Sequence, residues 1–309
     1  MRKLVSTKEL EKTEWLKYRK LGIGGSDAGA VCGLNPYKTA MEVYQDKISE
    51  EVIEEPDNEA VRQGRELEDY IARRFMQATG KKVRRANFMF QHEQFPFMLA
   101  DVDRMIVGEN AGLECKTASP FMEAKWKENQ IPLHYGLQCH HYMAVTGADH
   151  WYIAVLIYGR EFKYCRIDRE EEIIQNLIQI ESDFWNHHVM ERQMPSPDGS
   201  KLADSVIAEY FQKSVPNTIP LTGFDEKLKR RQELLELMNR METEKRQIEQ
   251  ELKVYLGESE IAENEHYRIS WKAVCSSRLD EKRLKEEEPE VYNRYRKEIV
   301  SRRFSVKVA

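Results

Sequence analysis

The 309-residue chain is 41% hydrophobic and 33% charged, with a formal net charge of −5. Its aromatic fraction of 10% is sufficient for a packed core, so the composition excludes a disordered chain. No apolar run reaches the roughly 18 residues that a membrane helix requires. The opening stretch MRKLVSTKEL has no apolar segment, and we therefore expect no secretory signal. The net acidity makes nucleic acid a less obvious partner, although a metal site that concentrates carboxylates weakens this argument.

The cysteines are odd in number and widely scattered. No two of them form a C-x-x-C pair, so the sequence predicts neither a zinc ribbon nor a disulfide framework. We expect an intracellular, reducing compartment. The five are Cys32, Cys115, Cys139, Cys165 and Cys275.

Hydrophobic periodicity predicts alternating helices and strands over the first two thirds of the chain. The clearest helix spans residues 59–79, where Val61, Leu67, Ile71 and Phe75 recur at helical spacing and Gly80 follows. Other helices are predicted over 6–20 (with Ser6 or Thr7 as its N-cap), 28–31, 39–47, 133–145 and 170–189. Strands are predicted over 83–85, 88–91, 98–107, 112–117, 151–157 and 161–167.

The segment Met194-Pro-Ser-Pro-Asp-Gly199 has the composition of a linker and predicts domains at 1–195 and 196–309. In the second part, residues 225–256 predict a long helix. Its apolar residues follow a three-four spacing interrupted by Lys245, so the helix needs a partner. A strand over 267–275, a helix over 280–297 broken near Pro289, and a final strand over 302–308 complete the prediction.

One group of residues indicates chemistry. Asp103 lies in a predicted strand, and Glu114 and Lys116 lie in the next one. Alternation places Glu114 and Lys116 on the same face, and a tight turn at 108–110 brings Asp103 alongside Glu114. Two adjacent carboxylates favour a hard divalent cation, and the lysine is placed to hold a water, an arrangement typical of metal-assisted phosphodiester hydrolysis. The alternative interpretation is an exposed ion pair between Glu114 and Lys116.

The pattern Asp103-x10-Glu114-Cys115-Lys116 resembles the core of the PD-(D/E)xK nuclease superfamily. Val102 precedes Asp103 where the superfamily often has proline, and proline there supplies no ligand. Four further motifs flank this core: Arg19-Lys-Leu-Gly22-Ile-Gly-Gly-Ser26-Asp27-Ala, Gly33-Leu-Asn35-Pro36-Tyr37-Lys38, Gly64-Arg-Glu-Leu67-Glu68 and Gln138-Cys-His-His-Tyr-Met143-Ala-Val-Thr-Gly147. In their order and spacing they resemble the YqaJ-type viral recombinase family, a lambda-exonuclease-like group, over roughly residues 12–190.

The resemblance implies an α/β, restriction-endonuclease-like fold: a central mixed β-sheet flanked by helices, followed here by a helical, coiled-coil-rich C-terminal extension. It also implies site roles. Glu68, Asp103, Glu114 and the Cys115 carbonyl are the implied metal ligands. Lys116 and Gln138 complete the implied catalytic set, with Gln138 contacting the scissile phosphate or the water. Arg19 and Ser26 occupy the positions that hold the 5′-terminal phosphate, and a helix start at Ser26 favours an anion independently.

The implied function is a magnesium-dependent alkaline exonuclease, a DNA-binding hydrolase that digests linear double-stranded DNA 5′→3′ and leaves 3′ single strands for recombination by annealing. Mn2+ is expected to substitute for Mg2+, with one or two ions per site. The expected partners are double-stranded DNA ends, a single-strand annealing recombinase and further copies of the chain in a ring trimer. The expected location is the cytoplasm of a bacterial host, from a phage or prophage gene. The alternatives are a structure-specific DNA endonuclease and a non-catalytic DNA-end-binding protein on the same fold.

Several residues have simpler interpretations. Glu68 is otherwise a solvated helix carboxylate, Gln138 a surface amide, Arg19 a solvated helix end and Ser26 an N-cap. Alternation places Asp101 on the face of Asp103, near the metal without binding it. The basic run Lys81, Lys82, Arg84 and Arg85 is either a solvated strand entry or a track for a phosphate backbone, and Lys125-Trp126-Lys127 suits an unstacked DNA end.

Overall fold

A computed structural model of the protein describes residues 1–52, 58–297 and 301–307. The chain divides into two compact units, Met1–Phe211 and Gln212–Ala309. No helix in the described ranges is long and apolar enough to cross a membrane. The Pro-rich segment at 194–199 is followed by a helix, Lys201–Tyr210, that packs through Ala203 and Val206 in the first unit.

The first unit contains two main sheets. Their strands are β1 Arg2–Ser6, β2 Ile23–Gly24, β3 Val83–Arg84, β4 Phe88–Gln91, β5 Met98–Asp101, β6 Arg104–Ile106, β7 Ala111–Ala118, β8 His150–Ile157 and β9 Phe162–Asp168. In the four-stranded sheet the order is β1-β4-β5-β2, and in the five-stranded sheet it is β3-β6-β7-β8-β9. The five-stranded sheet is mixed, because β7 and β8 pair in parallel and its other pairs are antiparallel.

Helices cover these sheets. The α-helices of this unit are α1 Lys12–Lys20, α2 Gly25–Val31, α3 Ala40–Ile48, α4 Glu59–Thr79, α5 Leu133–Thr146, α6 Glu171–Asp183 and α7 Lys201–Tyr210. A 3-10 helix over Pro120–Asn129 and helix α5 form the crossover between the parallel strands β7 and β8. A π-helical turn over Phe184–Met190 follows α6.

The core of the five-stranded sheet shows the two-residue period of a strand. In β8, Trp151, Ile153 and Val155 pack with α5, whereas Tyr152 and Ala154 pack with the buried stripe of α4. Helices α4 and α5 therefore cover opposite faces of the sheet. The same alternation in β7 directs Leu113 toward α4 and Glu114 toward α5.

The second unit is built around the long helix α8, Asp225–Leu256, as the sequence predicts. Most of its apolar side chains are exposed, including Met238, Met241 and Ile248. The remaining elements are the hairpin β10 Ile261–Glu263 and β11 Arg268–Ser270, and the helices α9 Glu281–Glu287 and α10 Pro289–Tyr295.

The predicted helices at 59–79 and 225–256 are confirmed at both ends, but four other predictions are wrong. Residues 2–6 form a strand, so neither Ser6 nor Thr7 caps α1. The strand predicted over 98–107 divides into β5 and β6, which belong to different sheets. The strand predicted over 267–275 is limited to β11. Residues 302–307 are not in a strand, and residue 308 lies outside the described ranges.

Candidate active site

The strand register brings Asp103 and Glu114 together. Strand β6 pairs antiparallel with β7 through Arg104 and Leu113, and extending that register by one residue places Asp103 opposite Glu114. The Oδ2 atom of Asp103 accepts a 2.7 Å hydrogen bond from the backbone N–H of Cys115. This bond fixes the carboxylate at the strand end, so the predicted proximity of the two acids is present in the fold.

Glu114 is buried and its two carboxylate oxygens differ in their contacts. Oε1 lies 2.7 Å from the Lys116 ammonium and accepts a 2.7 Å hydrogen bond from the Gln138 amide. Oε2 is buried and has no hydrogen-bond partner among the described residues. A buried carboxylate oxygen without a partner is costly, and a cation is the ligand that removes this cost. The exposed ion pair offered as the alternative for Glu114 and Lys116 is not found.

The electrostatics of the site follow from burial and from like charges. Burial, followed by repulsion from Glu114 and Glu68, raises the pKa of Asp103 well above its usual range. Burial also raises the pKa of Glu114. For Lys116, burial alone lowers the pKa, but the carboxylates of Glu114 and Asp103 outweigh it and raise the pKa. Lys116 is therefore a stable ammonium, and it contacts the Tyr135 ring at 4.8 Å.

Glu68 is held by a different partner. Arg104 donates to Glu68 and to Asp69 through its two terminal nitrogens, so neither carboxylate is a solvated helix side chain without contacts. The charge of Glu68 nevertheless acts on Asp103 and Glu114. Of the predicted metal ligands, the structure brings Asp103 and Glu114 together and leaves Glu68 on Arg104.

The donor set fits a hard divalent cation only in part. Two neighbouring carboxylates supply the oxygen ligands that such ions prefer, and water or substrate oxygens complete the shell in sites of this kind. The unpartnered Oε2 of Glu114 marks the open position. Within residues 1–52, 58–297 and 301–307, no three His, Cys, Asp or Glu side chains form a ready-made ion-binding group.

Gln138 links the carboxylates to helix α2. It is buried, so the surface-amide interpretation does not apply, and its amide also donates to the Tyr142 hydroxyl at 2.9 Å. The Tyr142 ring packs against Gly25, where an added Cβ would lie 2.4 Å from the ring. At Gly29 an added Cβ would lie 2.7 Å from the Cβ of His134. These two glycines allow α2 to approach α5 closely.

Arg19 and Ser26 are in direct contact. The Nη2 atom of Arg19 donates a 2.8 Å hydrogen bond to Oγ of Ser26. Gly24, and not Ser26, is the N-cap of α2, so the simple capping role for Ser26 is not found. The Arg19 guanidinium also lies over the Trp15 ring at 5.0 Å, and Trp15 donates 2.6 Å to Asp101.

A buried carboxylate organises the cations around this pair. Asp27 lies 2.9 Å from Lys38, 3.0 Å from Lys47 and 3.7 Å from Arg19. Burial alone raises the pKa of Asp27, but these cations hold it well below its usual range. Lys47 also pairs with Asp46 at 3.1 Å, so Arg19 and Lys38 share the remaining charge of Asp27, which leaves a local excess of positive charge beside Ser26.

Sequence reasoning missed several of these residues and misjudged others. Tyr142 lies one helical turn after Gln138, and that spacing was the available signal. Arg104 directly follows Asp103, but its contact with α4 has no local signal.

Trp126 is buried and packs with Tyr135, so the interpretation of Lys125-Trp126-Lys127 as a stacking site is wrong. Asp101 ends β5 before the chain changes sheets, so strand alternation does not relate it to Asp103.

The geometry can be compared with known proteins. The profile of the YqaJ-like viral recombinase domain matches residues 14–149. The uncharacterized protein YqaJ of Bacillus subtilis (strain 168) is 37% identical over 308 residues, covering 98% of this chain and 97% of the relative. The chain belongs to the YqaJ-like viral recombinase family. The resemblance recognised in the sequence motifs is thereby confirmed.

Two solved structures of an alkaline exonuclease, LHK-Exo, share the fold. The structure from Laribacter hongkongensis is 17% identical with a TM-score of 0.50, covering 64% of this chain and 98% of that one. The structure in complex with dAMP is 20% identical with a TM-score of 0.50, covering 58% and 93%. The predicted α/β fold with mixed sheets flanked by helices is confirmed.

Proposed function

We propose that the protein is a metal-dependent exonuclease, a hydrolase that digests linear double-stranded DNA from its 5′ ends and leaves 3′ single strands. The observation that carries the proposal is the buried Asp103–Glu114 pair, with its unpartnered Glu114 oxygen beside the Lys116 ammonium. Membership of a viral recombinase family and a fold shared with an alkaline exonuclease support a DNA exonuclease.

In this proposal Asp103, Glu114 and the Cys115 carbonyl hold Mg2+, which Mn2+ replaces. The bound ion supplies Lewis-acid chemistry and a more acidic water. Glu68 adds a further carboxylate or holds a second ion. The Lys116 ammonium lies 2.7 Å from Glu114, so it is placed to orient the water and to stabilise the charge that develops on the phosphate. The water oxygen joins phosphorus and gives up a proton to solvent, the bond from phosphorus to the 3′ oxygen breaks, and that oxygen takes up a proton from solvent as it leaves.

Gln138 positions Glu114 in this scheme. Its amide donates to Glu114 and to Tyr142 at once, and both contacts are buried. Contact of Gln138 with the scissile phosphate or the water is also proposed. Because the Gln138 amide is held by both Glu114 and Tyr142, a shift of this amide also shifts the Glu114 carboxylate.

The 5′-terminal phosphate is proposed to bind at Arg19 and Ser26. The support is the excess of positive charge around Asp27 and the forked donor of Arg19, which is suited to phosphate. The path from this pair to the carboxylates runs through Gly25, Tyr142 and Gln138.

The proposed partners are linear duplex DNA ends, a single-strand annealing recombinase and further copies of this chain in a ring trimer. The exposed apolar residues of α8 support a helical partner. The proposed setting is recombination of phage or prophage DNA in the bacterial cytoplasm.

The decisive experiment compares DNA substrates. End-labelled linear duplex with a 5′ phosphate, the same duplex with a 5′ hydroxyl, and a closed circle are incubated with Mg2+ or EDTA. We expect Mg2+-dependent digestion of the linear forms, a preference for the 5′ phosphate, and an intact circle. Digestion of the circle indicates the endonuclease alternative. Binding to ends without cleavage under any of these conditions indicates the non-catalytic alternative.

End recognition is tested with two variants and a matched control. Arg19→Ala and Ser26→Ala are expected to reduce the preference for 5′-phosphorylated ends with less effect on Mn2+ binding. Lys17→Ala removes an exposed cation from the same helix as Arg19 and is expected to keep the preference. An unchanged preference in Arg19→Ala and Ser26→Ala contradicts the end-anchoring role.

A further inference from the structure

A cationic pocket lies outside the carboxylate site. It has a volume of about 390 Å³ and lies between helix α4 and strands β3 and β6. We propose that this pocket binds phosphates of the DNA backbone beside the reacting strand. The proposal rests on the proposed function in taking DNA as the substrate. The pocket is lined by Asp69, Ala72, Arg73, Met76, Val83, Arg84, Arg85 and Arg104.

The charge of the lining favours a polyanion. Four arginines and one carboxylate face the pocket. Asp69 is shared by Arg85 at 2.5 Å and by Arg104, so the single acid is already neutralised. Arg73 and Arg84 are exposed and have no ion-pair partner among the described residues. Two guanidinium groups thus remain to contact phosphate oxygens through their forked donors.

The position of the pocket connects it with the carboxylate site. Arg104 forms part of the lining, donates to Glu68, and donates 2.6 Å to the backbone carbonyl of Asp103. Arg104 thus contacts both the pocket and the Asp103 backbone, which makes the pocket a neighbour of the carboxylate site. When one phosphate of a DNA strand lies at the carboxylates, a neighbouring phosphate of that strand can therefore reach the pocket.

Free nucleotide or inorganic phosphate has the same anionic chemistry as the backbone. Small-molecule pockets are mostly apolar with a few polar groups, whereas five of these eight lining residues are charged. The exposure of Arg73 and Arg84 also allows a continuous strand to pass. The pocket further explains how a chain with a net charge of −5 attracts DNA, because the positive charge is concentrated locally.

The test is the salt dependence of DNA binding in EDTA, where no metal-dependent cleavage interferes. Affinity for a short linear duplex is measured by fluorescence anisotropy from about 50 to about 200 mM salt. The parent is compared with Arg73→Gln/Arg84→Gln. The control, Arg2→Gln/Lys201→Gln, removes two exposed cations that do not line the pocket. Melting temperatures establish that each variant folds.

We expect the pocket variant to bind more weakly and its log–log salt slope to be smaller by about 2, one unit for each lost phosphate contact. The control should keep the parent slope. Equal slopes in the parent and the pocket variant, an equal loss in the control, or failure of the parent to bind DNA overturns the proposal. A changed slope in a protein that cleaves nothing leaves the DNA contact standing and refutes the nuclease.

Calorimetry with dAMP and with inorganic phosphate distinguishes the two sources of anion. We expect the parent and the pocket variant to respond alike to both. If the pocket variant alone loses binding of either small anion while its DNA salt slope matches the parent, the pocket serves free phosphate and the DNA proposal is overturned.

Discussion

The amide of Gln138 and the ammonium of Lys116 converge on the same oxygen of Glu114, each at 2.7 Å. This leaves the second oxygen of Glu114 free for a cation. Gln138→Ala removes the donor that orients the carboxylate, and we expect a loss of about 10–100-fold in Mn2+ affinity or cleavage rate. Calorimetry and a nuclease assay measure the two effects. Gln130→Ala is the matched control because Gln130 is exposed. Normal Mn2+ affinity and rate in Gln138→Ala would show that Glu114 needs no such support.

The carboxylates themselves give a stronger prediction. Asp103→Asn and Glu114→Gln keep the shape of each side chain and remove its charge. We expect both to abolish Mg2+-dependent cleavage, while DNA binding is kept or improved because repulsion of phosphate decreases. Glu66→Gln, an exposed carboxylate on α4, should cleave normally. Near-parental rates in either site variant would refute the metal assignment.

Lys116 separates metal binding from chemistry. Its ammonium lies 2.7 Å from Glu114, and in the metal-free protein the carboxylates of Glu114 and Asp103 raise its pKa. Lys116→Ala should lower the cleavage rate by about 10²–10³-fold and still bind Mn2+. Calorimetry with Mn2+ on the folded variant provides the second readout. Loss of Mn2+ binding together with activity would assign Lys116 a structural role.

The close approach of α2 and α5 predicts an unequal response of two glycines. Gly25→Ala places a Cβ 2.4 Å from the Tyr142 ring, so we expect a loss of about 1–3 kcal/mol in the free energy of unfolding. Gly136→Ala, within α5, meets nothing within 4 Å and should be stabilising by about 0.4–1 kcal/mol. Urea unfolding of both variants tests the contrast. Equal stability of the two would mean that Tyr142 moves aside freely.

A buried histidine predicts a pH dependence of stability. Nδ1 of His141 lies 2.8 Å from Glu181, and Nε2 lies 2.8 Å from the Leu99 carbonyl. Burial opposes the charged ring, but Glu181 outweighs it and raises the pKa of His141 above its usual 6.5. The charged ring thus contributes stability fully below pH 6.5, and this contribution is lost as pH rises through the raised value.

Urea unfolding of the parent and Glu181→Gln between about pH 6 and 9 checks this sign. The parent should lose stability toward alkaline pH relative to the variant. Parallel profiles for the two proteins would contradict a stabilising charged His141.

The sequence carried much of the fold where the signal is local. Helix α4 is predictable because its apolar stripe and the terminal Gly80 lie within one segment. Glu114 and Lys116 share a face because every strand alternates. The exchange of sheets between Asp101 and Arg104 is not visible in the sequence of residues 98–107, since it depends on tertiary pairing with β4 and β7.

In the site, too, contacts between residues close in sequence could be predicted, and contacts between distant elements could not. The Asp103–Glu114 pairing follows from two strands and a turn, which are close in sequence. The contact of Arg104 with Glu68 joins a strand to a distant helix, and no local pattern encodes it. The arginine pocket likewise requires α4 to pack beside β3, which only the folded chain brings about.

At residues 102–103 the chain passes from β5 in one sheet to β6 in the other, and this break bears on the length of the reaction product. Parallel pairing of Gly24 with Leu99 fixes the segment leading to Ser26, and pairing of Arg104 with Leu113 fixes Asp103. Strand register changes only in whole-residue steps, unlike the geometry of a flexible loop. Under the proposed function, which holds the 5′ end at Ser26 and cuts at Asp103, this interval would set the distance from the DNA end to the cut. A rigid interval of this kind would release fragments of one constant size.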